Sequence, residues 1–100
     1  MNTYIVSSLL KSEGKVRGVI VQRLAPAAGG GWETVEVQEP DLAGLGRLVT
    51  EHRVFVASWA GEGPDAVLGS PVRIVGTRIV SVDKDGVEND DLLRLGQFSD

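Results

Sequence analysis

Carboxylate side chains are concentrated near the end of the 100-residue chain, in the stretch whose spacing most resembles a binding site. Five acids surround one glycine there: Asp83, Asp85, Glu88, Asp90 and Asp91. Hard cations such as Ca²⁺ prefer clustered oxygen ligands at a tight glycine turn. A calcium loop placed here, however, would begin at Ser81 and end at Leu92 instead of at a bidentate glutamate. We therefore favour an Asx-type turn followed by acids at a helix N-terminus.

The other reactive side chains form no catalytic or cofactor motif. His52 is the only histidine, and no serine lies in a G-x-S-x-G nucleophile motif. The chain has no cysteine, which excludes disulfides and thiolate chemistry. The glycine run 29–31 lacks the lysine of a phosphate-binding loop and precedes a predicted strand. We expect no enzyme activity, no cofactor, no metal site and a structural or solvent-facing His52.

Two tryptophans each lie beside a glycine-rich stretch. Tryptophan is enriched at binding hot spots, so Trp32 and Trp59 are candidates for partner contact. The same large side chains also suit the cover of an aliphatic core. We prefer the core interpretation for Trp59, which ends an apolar strand, and both interpretations stay open for Trp32.

Charge is unevenly distributed along the chain. Residues 1–82 contain eight acidic and eight basic side chains, whereas residues 83–100 contain six and two, which accounts for the net charge of −4. Acids on one short element ordinarily form a solvated surface, and here they also suit a basic protein partner. Nucleic acid is not expected as a partner, because no basic patch is visible in the linear sequence. Folding would have to gather Arg17, Arg23, Arg73 and Arg78 to create one.

Length and composition predict one domain, residues 1–100. A chain that is 42% hydrophobic and 24% charged is too apolar to be disordered. No stretch approaches 18 consecutive apolar residues, so we expect no membrane span. The first ten residues lack the basic and apolar regions of a signal peptide, and a cytoplasmic protein is the expectation.

The first half of the chain predicts three strands and then one helix. Strand-like runs at 4–10 and 15–24 predict an antiparallel hairpin, and 25–31 a loop. Residues 32–38 alternate, which predicts a strand with Val35 and Val37 on a buried face. An apolar stripe then predicts the main helix over about 40–52; it consists of Leu42, Leu45, Leu48 and Val49. This helix contains two glycines, so we expect it to depend on docking against the sheet.

The second half predicts further strands and a short helical turn. A strand at 53–59 follows the helix directly, and a loop is predicted over 60–71. Runs at 72–75 and 78–82 predict a hairpin around Gly76-Thr77. Asn89 is the predicted cap of a helical turn over 90–95, which Gly96 would end.

The pattern from Asp85 to Leu95 resembles the end of a family of small uncharacterised bacterial and phage domains. Those domains end in a strand followed by D-G-x-x-x-D-N-L-L-x-L-P, and the order helix, strand, Gly-rich loop and hairpin is also similar. This chain departs from the pattern at Asp91, where asparagine is usual, and at Gly96, where proline is usual. The resemblance covers about the last sixty residues and implies a fold and a phage or bacterial setting, without an activity.

Together these patterns predict an α+β fold. We expect a mostly antiparallel, twisted sheet of 5–6 strands, the main helix on one face and a short C-terminal helical turn. The preferred function is a non-enzymatic protein-interaction module that acts through the acidic C-terminal surface and the loops beside the tryptophans. A small-ligand or metal-binding domain and a weak nucleic-acid-binding protein are the alternatives. Exposed sheet edges also suggest a homodimer.

Overall fold

The described residues form a seven-stranded sheet with one α-helix packed on one face. The computed structural model describes residues 2–12, 15–58 and 68–95. The first half of the chain forms β1 Thr3–Ser12, β2 Lys15–Pro26, β3 Trp32–Gln38 and α1 Leu42–Glu51. They are followed by β4 Arg53–Ala57, β5 Leu68–Val75, β6 Arg78–Val82, β7 Glu88–Asn89 and a 3₁₀ turn over Leu92–Arg94.

The sheet is mixed, in the order β3-β2-β1-β4-β5-β6-β7. β1 and β4 run parallel from Thr3↔Arg53 to Val6↔Val56, and every other described pairing is antiparallel. The predicted α+β class is confirmed, but the predicted 5–6 strands are too few and the sheet is less antiparallel than expected. The reason is the helical crossover: α1 carries the chain past β2, so β4 arrives beside β1 in the same direction.

β5 begins earlier than predicted, at Leu68, within the stretch that the sequence assigns to a loop. Gly69 lies so close to β4 that a Cβ there would approach the Val56 carbonyl oxygen to 2.6 Å. Pro71 pairs with Phe55, next to an irregularity in the β4–β5 ladder. The close backbone approach therefore requires a glycine at position 69. The irregular pairing tolerates a proline at position 71. Trp59, the predicted end of the preceding strand, lies outside the described residues.

The predicted buried face of β3 is wrong. Val35 and Val37 are 45% and 60% exposed. β3 is the first strand in the sheet order and has β2 as its only strand neighbour in the described part of the chain. The ladder also passes from Arg23↔Glu36 to Leu24↔Thr34, so Val35 is the extra residue of a bulge. The alternating pattern identified the strand correctly, but it carries no information on whether anything covers the strand.

The main helix is α1, and it is shorter than predicted, over Leu42–Glu51. Asp41 is the N-cap, and its Oδ1 accepts a hydrogen bond of 2.6 Å from the Gly44 N–H. Leu45 is buried, and Leu48 and Val49 pack against the core, whereas Leu42 is 40% exposed. Within the described ranges, no helix is long and apolar enough to cross a membrane.

The core lies on both faces of the central strands. On the helix face, Tyr4, Val6 and Leu9 of β1 join Leu45 and Leu92 in one apolar cluster. A smaller cluster on the other face contains Ile5, Leu24 and Ala57, against which Trp32 packs. β1 thus buries side chains on both faces, while the outer strands are covered less.

We predict that Leu45→Ala lowers the free energy of unfolding by about 2–5 kcal/mol, because it removes the side chain that docks α1 and leaves a cavity. Denaturant unfolding followed by circular dichroism measures the change. Leu42→Ala is the matched control in the same helix, with an expected loss below about 1 kcal/mol because Leu42 is exposed. Equal losses for the two variants would show that α1 does not dock through Leu45.

We also predict that Gly46→Ala raises the free energy of unfolding by about 0.5–1 kcal/mol, the difference in helix propensity. A Cβ at Gly46 would lie 3.7 Å from Ile74 Cδ1, an ordinary contact. At Gly44, a Cβ would lie 3.1 Å from the Oδ1 atom of the Asp41 cap, so Gly44→Ala should gain less. The same unfolding measurement compares the two; a larger gain at Gly44 would contradict this account of the helix start.

Candidate functional site

The acidic end of the described chain, residues 83–95, is named the closing segment here, and it begins with a turn built on Asp83. Asp83 Oδ1 accepts hydrogen bonds from the N–H groups of Asp85 and Val87 at 2.8 and 3.0 Å. The Asp83 N–H also donates to the Val87 carbonyl oxygen, and Gly86 adopts a positive φ of 84°. The Asx-type turn of the sequence interpretation is therefore present, and its carboxylate serves the backbone.

A partly buried polar network then ties the closing segment to β5 and β6. The Ser81 hydroxyl donates to Asn89 Oδ1 at 2.6 Å and accepts from the Leu92 N–H at 3.0 Å. Asn89 Oδ1 also accepts from the Asp91 N–H, and Asn89 Nδ2 donates to the Ser70 hydroxyl. Ser70 in turn donates to Asp91 Oδ2 at 2.5 Å. Asn89 and Asp91 are thus positioned as structural links between three segments.

This network replaces the predicted helical turn over 90–95. Asn89 belongs to β7, and only a 3₁₀ turn over Leu92–Arg94 follows it. Asp91 occupies the cap position of this turn without a side-chain capping bond, because its carboxylate is directed to Ser70. Leu92 is only 1% exposed and packs into the helix-face core, which fixes the end of the segment.

The carboxylates of the closing segment are divided between two arginines: Glu88 pairs with Arg78, and Asp90 and Asp91 share Arg94. Glu88 receives two hydrogen bonds from one Arg78 nitrogen, at 2.9 and 3.0 Å. Arg94 lies 3.3 Å from Asp90 and 3.9 Å from Asp91. In the described part of the chain, no group of three or more His, Asp or Glu side chains is arranged to hold a metal ion. Exposed ion pairs of this kind each contribute about 1 kcal/mol or less to stability.

Two apolar side chains of the closing segment are also exposed. Val87 is 61% exposed and Leu93 is 50% exposed. They lie on either side of Glu88 and Asp90 in the sequence, and both those acids are also exposed. The sequence interpretation singled out the acids alone, since Leu92 and Leu93 look equivalent until the 3₁₀ turn buries one and exposes the other.

A groove of about 400 Å³ lies beside the closing segment, between the start of β2 and β6. Val16, Ile79 and Leu92 contribute apolar wall, while Arg17, Arg78 and Glu88 contribute charge. Folding therefore gathers two of the four arginines that the sequence analysis named. The other two are placed separately: Arg23 lies 3.6 Å from Glu36, and the Arg73 side chain donates to the Val72 carbonyl oxygen.

The remaining candidates have structural environments. His52 ends α1, and its Nδ1 accepts a hydrogen bond of 3.0 Å from the Asn2 N–H. Its ring lies 5.5 Å from that of Tyr4, measured between centroids. Trp32 is half-buried beside the smaller core cluster, which supports the core interpretation for this side chain. Trp59 is outside the described residues.

No family model, curated protein or solved structure matches the chain. The resemblance to small bacterial and phage domains thus stays an expectation from the closing pattern. The structure shows different roles for the residues of that pattern: Asn89, Asp91 and Leu92 attach the segment, Asp85 and Val87 are exposed, and half-exposed Leu93 lines the groove.

We predict that Asn89→Ala lowers the free energy of unfolding by about 1–3 kcal/mol, because it leaves the Asp91 N–H and the Ser81 hydroxyl without their shared acceptor. Asp90→Ala is the neighbouring control, with an expected change below about 0.5 kcal/mol, since its ion pair with Arg94 is exposed. Hydrogen exchange of the Leu92 amide should accelerate in Asn89→Ala and remain slow in the control. Unchanged protection of the Leu92 amide in both variants would show that the Ser81–Asn89 network does not hold this part of the segment in place.

Proposed function

We propose that this protein is a small non-enzymatic interaction module that binds a basic protein partner through the closing segment. The observation that carries the proposal is that two exposed apolar side chains, Val87 and Leu93, occur in the same short segment as the exposed acids Asp85, Glu88 and Asp90. Protein interfaces combine an apolar centre, which provides most of the binding energy, with a charged rim. The closing segment offers both within a few residues.

The attachment of the segment supports binding without a large ordering cost. Ordering a loop on binding reduces affinity, because the conformational entropy of that loop is lost. Here the Asp83 turn, the Ser81–Asn89 network and the burial of Leu92 hold the surface in one arrangement before a partner arrives. The exposed acids are therefore presented on a preorganised backbone.

The charge distribution indicates the chemistry of the partner. The closing segment contains five acidic and two basic side chains, a net charge of −3, which gives this part of the molecule a negative electrostatic field. Such a field accelerates association with a basic surface and disfavours acidic ones.

One version of the proposal is an inhibitor whose carboxylates take the place of phosphates on a nucleic-acid-binding host protein. A direct nucleic-acid-binding function has less support, because Arg23 and Arg78 both lie in ion pairs with glutamates.

We predict that the double variant Asp85→Asn, Asp90→Asn reduces retention of a basic partner about tenfold, the effect of losing about 1.4 kcal/mol of binding free energy. Neither side chain serves the Ser81–Asn89 network, so the fold should be unchanged. The measurement is affinity capture from lysate of the source organism, treated with nuclease and quantified by mass spectrometry.

The matched control is Glu33→Gln, Glu39→Gln. This variant changes the net charge by the same two units, but its exposed acids lie in β3 and immediately after it, away from the closing segment in the sheet order. Retention by the control should equal that of the wild type. Equal retention by all three proteins would contradict the proposal, and a partner lost on nuclease treatment would favour nucleic-acid binding instead. Homodimerisation stays a prediction, which sedimentation equilibrium would test.

A further inference from the structure

A second groove lies between α1 and the turn that joins β5 to β6, with a volume of about 530 Å³, and it is named the helix groove here. Two of its lining residues are glycines, which leave the space open. A Cβ at Gly46 would approach Ile74 Cδ1 to 3.7 Å, and a Cβ at Gly76 would meet no atom within 4 Å. Leu42 adds an apolar side chain that is 40% exposed.

The charged side chains that line the helix groove are Arg47, Glu51 and Arg73, and all three are exposed. In the described part of the chain, none of them lies in an ion pair. The Arg73 side chain donates to the Val72 carbonyl oxygen, but this acceptor has no formal charge and leaves the other guanidinium N–H groups available. The helix groove therefore has one acid and two bases for a partner to match.

The turn at the start of the closing segment, residues 83–87, is named the closing turn, and it carries groups of the opposite kind. Lys84 and Asp85 are exposed, and neither is in an ion pair among the described residues. Val87 is 61% exposed. Asp83 Oδ1 binds two N–H groups of the turn, so these side chains extend from a backbone that is already ordered.

The closing turn and the helix groove are complementary in charge and in shape. Asp85 suits the two arginines of the groove, and Lys84 suits Glu51. Val87 suits the exposed Leu42, which would place an apolar contact among the charged ones. A hairpin turn is convex, whereas the groove is concave.

This complementarity is between two copies, because the two surfaces lie far apart in one molecule. Gly76 of the helix groove precedes β6, and the closing turn follows Val82 at the other end of that strand. The five residues of β6 separate them by about 16 Å, at a rise of about 3.3 Å per residue. β6 pairs with β5 from Arg78 to Ser81, which fixes this separation.

We infer that the protein associates with itself, and that the closing turn of one copy docks in the helix groove of another. The bound Asp85 carboxylate lies toward Arg47 and Arg73, and Val87 covers Leu42. The inference rests on the proposed function in one respect: it takes the closing segment as a docking surface, and it names a second copy of this chain as a partner.

The test is sedimentation velocity on two complementary variants at low ionic strength, where screening of the charges is weakest. Arg47→Glu alters the groove and keeps the turn, whereas Asp85→Arg alters the turn and keeps the groove. Each variant alone should associate about tenfold more weakly than the wild type, or less, because like charges then face each other. An equimolar mixture should form a 1:1 complex with nearly the wild-type affinity, because the intact turn of one variant meets the intact groove of the other.

The matched control is Glu39→Arg, which changes the net charge by the same two units as Asp85→Arg. Position 39 is exposed and lies in neither surface. This variant should associate like the wild type. Both test positions are exposed and outside the described ion pairs, so the variants should fold, and the complex formed in the mixture confirms that each retains one working surface.

The inference is overturned if the wild type sediments as a monomer at about 1 mM, or if the mixture of variants stays monomeric. A monomeric wild type would leave the helix groove to a different acidic partner. Self-association that neither variant weakens would also overturn the inference, because another surface would then be responsible.

The proposed function fails in a different measurement. A basic partner retained in the lysate capture would still stand if the wild type were monomeric. Equal retention by all three proteins of that capture would remove the basic partner, but it would not affect the complex between Arg47→Glu and Asp85→Arg.

Discussion

β1 is the strand on which the rest of the sheet depends, because it is paired on both edges over Thr3–Val6 and contributes side chains to the core on both faces. β2 lies on one side of it and β4 on the other. Its side chains alternate between the helix-face cluster, through Tyr4 and Val6, and the opposite cluster, through Ile5. A parallel partner for β1 requires a crossover, and α1 provides it by docking Leu45 over the same side chains. The two halves of the chain are thus joined where β1 pairs with β4. The closing segment is attached to β5 and β6, further along the second half of the sheet.

The local elements could be predicted from the sequence because their signals are local. The hairpin around Gly76-Thr77 and the strand and helix after Gln38 follow from turn residues and apolar spacing. The neighbours of each strand could not be predicted in this way. Val35 and Val37 alternate as a half-buried strand does, yet their exposure depends on β3 standing at the end of the sheet. Gly69 and Pro71 are typical loop residues, so the sequence predicts a loop at their positions. Their place in a strand depends on the approach of β5 to β4, a long-range contact that local sequence does not show.

The closing segment shows the same division at the level of single side chains. Its acids look equivalent in sequence, but they perform different tasks. Asp83 organises a turn, Asp91 holds Ser70, and Asp85 and Asp90 extend outward. A cluster of carboxylates in sequence therefore becomes a set of divergent groups in space, which explains why the calcium-loop spacing leads to no convergent ligand set in the described residues. Sequence identifies the segment, and only the hydrogen bonds separate its structural acids from its surface acids.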